Sequence, residues 1–258
     1  MEKKTLILPV AGESTRYQGM PPKWMLEHPS GYMMLTEAIR GLPLDDFDDI
    51  LVVGLQKHER YKGFSRFIDE CSDAYNWPSD NIHVVLLTRE NGSQPGDVAR
   101  GLKKAGVTTG GILIKDCDGS YQYTGEIDWT QNHVAVGDLH NAGRIHAGNK
   151  SYVHVDGRNT VGNIVEKRVI SHLFCCGGYY FCDAGEYLSA YDSIKDKEGL
   201  YVSHVIYQML LDEHVFFMAE TKQYQDWGTK EDWYQYLHSL SCDKTIVIDV
   251  DDTLTKNN

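Results

Sequence analysis

At 258 residues, 41% of them hydrophobic, the chain is long enough to bury one large core without disulfide or metal staples. Its formal net charge of −12, with lysine and arginine scattered rather than clustered, excludes a surface that coats nucleic acid. No run approaches the ~20 apolar residues of a membrane span, Met1-Glu2-Lys3-Lys4 does not open a secretory leader, and the six cysteines lack zinc-type C-x-x-C pairs, so a cytoplasmic chain with free thiols and no membrane partner is expected.

Strand and helix patterns alternate from the start. Thr5–Val10 reads as a strand, Met33–Leu42 as a helix ending near Pro43, and Asp49–Leu55 as a second strand with ILVVGL at its heart. Tyr61, Phe64, Phe67 and Ile68 give helical spacing over Glu59–Tyr75. A third strand at Ile82–Leu87, a short helix at Asp97–Ala105 stopped by Gly106, and a fourth strand at Gly111–Lys115 follow. This order, with near-continuous apolar strands, predicts a mostly parallel sheet covered on both faces. From Tyr121 the pattern turns strand-like, with Asn132–Val136, Ser151–Val155, Val161–Glu166 and Leu173–Phe181; helical spacing returns at Glu186–Ile194, Val202–Leu211 and Lys230–Leu240.

The most informative segment is Leu6 to Leu26. An apolar strand ends in the small-residue loop Ala11-Gly12-Glu13-Ser14-Thr15, followed by Arg16, Pro21-Pro22 and Lys23. Such a loop can aim several backbone N–H groups at one anion, and Gly12 lets the backbone come close to a ligand. Arg16 offers a planar fork for phosphate oxygens and Lys23 a compact charge, while the prolines stiffen the chain before it. The combination suits a nucleoside triphosphate.

These residues resemble the signature of the sugar nucleotidyltransferases (nucleotide-sugar pyrophosphorylases): an apolar strand, then A-G-x-G-[ST]-R-[FLY], then P-K. Ser14 stands where that family usually has a second glycine. The resemblance implies a three-layer α/β/α sandwich with a mostly parallel, mixed central sheet, similar to the GT-A Rossmann-like fold, over residues 1–240. It implies Mg²⁺-dependent transfer of NMP from an NTP to a phosphorylated acceptor, a phosphosugar by default, with release of pyrophosphate.

The same resemblance distributes roles along the chain. Arg16 and Lys23 act on the phosphates, and Ala11, Gly12, Glu13 and Ser14 form the nucleotide loop. Asp116-Cys117-Asp118 follows the fourth strand, where the family keeps a metal-binding aspartate; Asp118 is favoured, with Asp116 as its backup or partner. Two such carboxylates can also be no more than a solvated turn before Gly119. Gln94-Pro95-Gly96-Asp97 matches a stretch that reads the base through Gln94 and Gly96, and also reads as a helix start with Pro95 near N1. Glu166-Lys167 and the glycine of Gly178-Tyr179-Tyr180 match the acceptor site, lysine to phosphate and glutamate to hydroxyls. Asp226-Trp227-Gly228-Thr229 matches D-x-G-T, whose aspartate completes the metal site. Thr229 also fits a helix N-cap, with Asp232 three residues later.

His133, His140, His146 and His154 are spaced by seven, six and eight, which matches no helical or hairpin metal pair; surface or core histidines are expected. The tail, Lys244 to Leu254, resembles the first motif of the haloacid dehalogenase superfamily, an apolar strand and then Asp249-Val250-Asp251-Asp252-Thr253. Residues 241–258 are thus expected to open a further, incomplete domain. Three other readings stay open from sequence: a GT-A glycosyltransferase using D-x-D, a phosphatase of the tail's type, and a nucleotide-binding module without catalysis. The base, the acceptor and any homo-oligomer are not specified by sequence.

Overall fold

The computed structural model describes residues 2–12, 20–88, 92–143 and 145–240. The tail motif with Asp249 and Asp251, and the loop residues Glu13, Ser14 and Arg16, lie outside them.

Ten strands make one mixed sheet: β1 (Lys4–Pro9), β2 (Asp49–Leu55), β3 (Ile82–Leu87), β4 (Gly111–Lys115), β5 (Gly119–Tyr123), β6 (Asn132–Asp138), β7 (Tyr152–Val155), β8 (Val161–Val165), β9 (Leu173–Phe181) and β10 (Phe216–Asp226). The main path runs β3-β2-β1-β4-β9-β6-β10-β5, with β7 paired to β8 and β9. Strands β3, β2, β1 and β4 are mutually parallel. β9 is antiparallel to both β4 and β6, and β6 and β10 are parallel. β4 and β6 therefore point the same way, and their carboxyl ends share one edge. The expected three-layer α/β/α sandwich with a mostly parallel mixed sheet is what the chain forms.

The alternation of side chains explains why the strands carry continuous apolar runs. On β1, Leu6 and Leu8 join Phe64 and Phe67 in one core, whereas Ile7 joins Val98, Leu102 and Val205 in the other. Both faces are covered, so neither register can be polar. The first core packs under α1 (Met34–Ala38) and α2 (Gly63–Tyr75); the second packs under α3 (Gln94–Ala105), α4 (Ala184–Ile194) and α5 (Val202–Leu211). α6 (Lys230–Leu240) packs by Trp233 against Trp227 and Met34 in a smaller cluster.

Some element boundaries differ from expectation. The helix expected over Glu59–Tyr75 is broken: a 3₁₀ run, Gln56–Tyr61, meets α2 at Lys62, which is left-handed at φ 56°. The helix expected over Met33–Leu42 keeps its α form only through Ala38, then tightens into turns before Pro43. α3 starts three residues early because the Ser93 side chain accepts from the Gly96 amide as N-cap, with Pro95 in the first turn. β10 was not expected at all: only Phe216 to Ala219 of FFMAETKQYQD is apolar, the rest is mostly polar and partly exposed, and pairing with β6 and β5 makes it a strand. Among the described residues no helix is long and apolar enough to cross a membrane, and five cysteines are free, four of them buried.

Candidate active site

A cleft of about 470 Å³ opens at the carboxyl edge of the sheet. Its lining includes Ala11 and Gly12 after β1, Lys23, Gln94 at the start of α3, Asp116 and Asp118 after β4, Glu166 and Lys167 after β8, and Asp226 at the end of β10. The edge outside strand carboxyl ends is where open α/β sheets hold ligands.

Lys23 sits in a short 3₁₀ turn behind Pro22, and its Nζ pairs with Asp118 Oδ2. Burial alone would raise the Asp118 carboxyl; the Lys23 ammonium outweighs it by charge and hydrogen bond, with Lys150 and Lys115 adding to it, and holds it well below the usual carboxylate range. Asp116 moves the other way. Burial, and then the Asp118 charge, push it up to about 6, even though Gln94 Nε2 donates to Asp116 Oδ1 at 2.5 Å. Two neighbouring carboxylates are thus driven apart by their surroundings, a pattern typical of functional sites.

The turn that presents them is held by Lys115, which is wholly buried on β4. Its Nζ donates to the carbonyls of Asp116 (2.5 Å) and Gly119 (2.7 Å) and stands 5.1 Å from the Tyr121 ring centroid. Burial lowers the pKa of this ammonium. The signal was a single lysine ending an otherwise apolar strand, GILIK. From the other side, the Asp116 amide donates to the Gly177 carbonyl at 2.7 Å. Gly177 is left-handed at φ 79°, and a Cβ there would lie 2.6 Å from Asp116 Cβ.

Asp226 comes to the same place from β10. The β5–β10 pairing sets Asp226 opposite Gly119, and the Trp227 amide donates to the Asp118 carbonyl at 2.8 Å. Beside Gly228, a Cβ would stand 3.1 Å from Asp226 Oδ1 and 3.4 Å from Asp118 Oδ2, so the two carboxylates flank one small space. An all-oxygen, doubly charged donor pair fits the hard cation Mg²⁺. Asp226 Oδ2 also meets Lys150 Nζ at 2.7 Å, a residue that sequence reading did not single out. The segment is locked by the Thr229 cap: Asp232 N donates to Thr229 Oγ1 at 3.1 Å, and Thr229 N and Oγ1 donate to Asp232 Oδ2 at 3.2 and 2.5 Å. The capping box is the expected one, with aspartate in the place of glutamate.

On the far wall, Glu166 Oε2 accepts from the hydroxyls of Ser151 and Ser203. Lys167 is left-handed at φ 54°, its Nζ donates to the Tyr201 hydroxyl, and it lies 4.1 Å from that ring centroid. Two expected residues sit beside the cleft rather than on its wall. Gly96 is packed in α3, where a Cβ would meet Tyr191 Oη at 2.7 Å. Gly178 faces Tyr121, whose hydroxyl leaves no room for a Cβ. Arg16, Glu13 and Ser14 fall outside the described residues.

With this geometry in hand, the comparisons define a class of fold. A nucleoside-diphosphate-sugar pyrophosphorylase from Vibrio cholerae matches with TM-score 0.74 and 19% identity, covering 90% of this chain and 99% of that one. An inositol-1-phosphate CTP transferase from T. maritima matches with TM-score 0.69 and 14% identity, over 95% and 98% of the two chains. A CTP:phosphocholine cytidylyltransferase from Streptococcus pneumoniae matches with TM-score 0.68 and 14% identity, over 93% and 100%. No family model and no curated protein matches the sequence. The chain has the fold of these nucleotidyltransferases across nearly their whole length.

Proposed function

We propose that the protein is a Mg²⁺-dependent nucleotidyltransferase that moves NMP from an NTP to a phosphorylated small-molecule acceptor and releases pyrophosphate. The observation that carries this reading is the meeting of Asp118, Asp226 and Lys23 in one cleft, from three separate parts of the chain. All three were singled out from the nucleotidyltransferase-like motifs, and the structural neighbours, whose names include a CTP transferase and a pyrophosphorylase, support the same class.

Bound between Asp118 and Asp226, Mg²⁺ would offset charge on the phosphate oxygens. Lys23 and Arg16 carry the remaining neutralisation, Lys23 at the α-phosphate and Arg16 at the β- and γ-phosphates. The loop at Ala11-Gly12-Glu13-Ser14 receives the nucleotide, with Gln94 toward the base and Gly96 behind the cleft wall, where its lack of a side chain lets α3 pack against Tyr191. An oxygen of the acceptor's phosphate attacks the α-phosphorus as the bond to pyrophosphate breaks, in line. Lys167 orients that acceptor phosphate and Glu166 its hydroxyls. Little proton transfer is needed, so positioning and charge neutralisation supply the rate. Pyrophosphate release measured for each NTP against a panel of phosphorylated sugars, polyols and phosphocholine tests the proposal. Release that needs one NTP, one acceptor and Mg²⁺ is expected; nucleotide binding with no turnover on any acceptor would select a non-catalytic module instead.

A further inference from the structure

The carboxyl end of β6 and the start of β9 bring together three metal-ligating side chains that take no part in the cleft. Asp138 closes β6, His140 stands two residues on, and His172 immediately precedes β9. One donor atom from each lies within 4.8 Å of the other two. His140 Nδ1 is 2.8 Å from Asp138 Oδ1, His172 Nε2 is 4.0 Å from Asp138 Oδ2, and the two imidazole centroids are 5.1 Å apart. None of the three lines the cleft.

The backbone under this cluster is fixed. Asp138 pairs with Leu173 across the β6–β9 ladder, and the Leu139 amide donates to the His172 carbonyl at 2.9 Å. The turn carrying His140 is closed by amides of Asn141 (3.0 Å) and Ala142 (2.9 Å) on the Asp138 carbonyl, and the His140 amide donates to Asp138 Oδ1 at 2.8 Å. Three donors thus project from a rigid ladder end. The side chains of His140 and His172 are 73% and 54% exposed, so they can rotate and leave further coordination positions to water.

We propose that Asp138, His140 and His172 form a second metal site, for a borderline divalent transition ion of which Zn²⁺ is the reference. Two neutral imidazoles and one carboxylate suit Zn²⁺ and its neighbours rather than Mg²⁺, which takes oxygen. Metal–ligand bonds of about 2.0–2.2 Å in a tetrahedron place donors ~3.3 Å apart, with solvent as the fourth ligand. The three donors here, within 4.8 Å of one another, reach that spacing by small rotations of the exposed imidazoles. The ion would bridge β6 to β9 at the root of the connection whose far end delivers Asn149 and Lys150 to the cleft. The inference is independent of the proposed transferase activity.

Calorimetric titration of the untagged full chain with ZnCl₂, under excess Mg²⁺ to occupy all-oxygen sites, tests it. One Zn²⁺ per chain is expected, with affinity weakened roughly tenfold or more in His140→Ala and in His172→Ala and unchanged in His154→Ala. Co²⁺ offered in place of Zn²⁺ should give the visible absorption of an imidazole-bound, low-coordinate ion, lost in His172→Ala. Both substitutions lie on exposed side chains, and unchanged thermal melts without metal separate lost ligation from lost folding. Absence of Zn²⁺ uptake by the wild-type chain, or uptake unaltered in both histidine variants, would overturn the proposal.

Discussion

Lys150 Nζ stands 2.7 Å from Asp226 Oδ2, and the same ammonium donates to the Tyr224 hydroxyl at 2.6 Å. The two side chains of the ion pair are only 14% and 7% exposed. Removing one member leaves a half-desolvated charge, whereas removing both leaves none. Lys150→Met should therefore destabilise the ligand-free protein by about 1–3 kcal/mol, and adding Asp226→Asn should recover part of that loss. Denaturant melts of the two single variants and the double close the cycle; strict additivity would show that the pair does not interact.

Lys23 neutralises Asp118 in the free protein and, on the proposed reading, the α-phosphate during turnover. Lys23→Ala should lower kcat by ~10²-fold or more, the scale of losing one strong electrostatic donor. Steady-state kinetics checks this, and unchanged values would remove Lys23 from the site.

Gly177 is both left-handed and in contact with Asp116. Gly177→Ala forces an L side chain into φ 79° and against that carboxylate, at a cost of about 1–3 kcal/mol. On the proposed reading the shift should reach Mg²⁺ binding as well as the melting temperature, since Asp116 and Asp118 share a turn. A variant that melts like wild type contradicts the strained geometry.

Acid should unfold the protein partly through His133. It is 4% exposed, stacked on Tyr180 with centroids 5.0 Å apart, and burial pushes it from 6.5 down to about 4. The folded state therefore favours neutral imidazole. Its contribution is fully present above the unfolded value near 6.5 and is lost progressively as pH falls from there toward 4. The shift corresponds to about 3 kcal/mol at 1.36 kcal/mol per unit. In His133→Phe the fall in stability between pH 7 and pH 4 should shrink by that amount; an identical pH profile would show that His133 is not the titrating group.

The strand order of the first half was legible because both faces of β1, β2 and β4 are buried, so their apolar runs are unbroken. β10 was not, because its pattern is polar along much of its length and only its partners make it a strand. At the site, residues beside a motif were legible: Lys23 by Pro22, Asp118 after an apolar strand, Thr229 before its helix. Lys150, Lys115 and the His140–His172 pair were not. Lys150 owes its place to a long-range backbone bond, Lys167 N to Lys150 O at 3.0 Å, and the two histidines meet only through the β6–β9 register. Local sequence carries no trace of such pairings.

The central claim is nucleotidyl transfer, and following the label from α-³²P and γ-³²P NTP tests it most directly. With the accepted NTP, acceptor and Mg²⁺, the α-label should pass into the NDP-linked product and the γ-label should leave as pyrophosphate, both failing in Asp118→Asn and Asp226→Asn. A γ-label recovered as inorganic phosphate or on the acceptor, or an α-label that stays in NTP with every acceptor, would contradict the account.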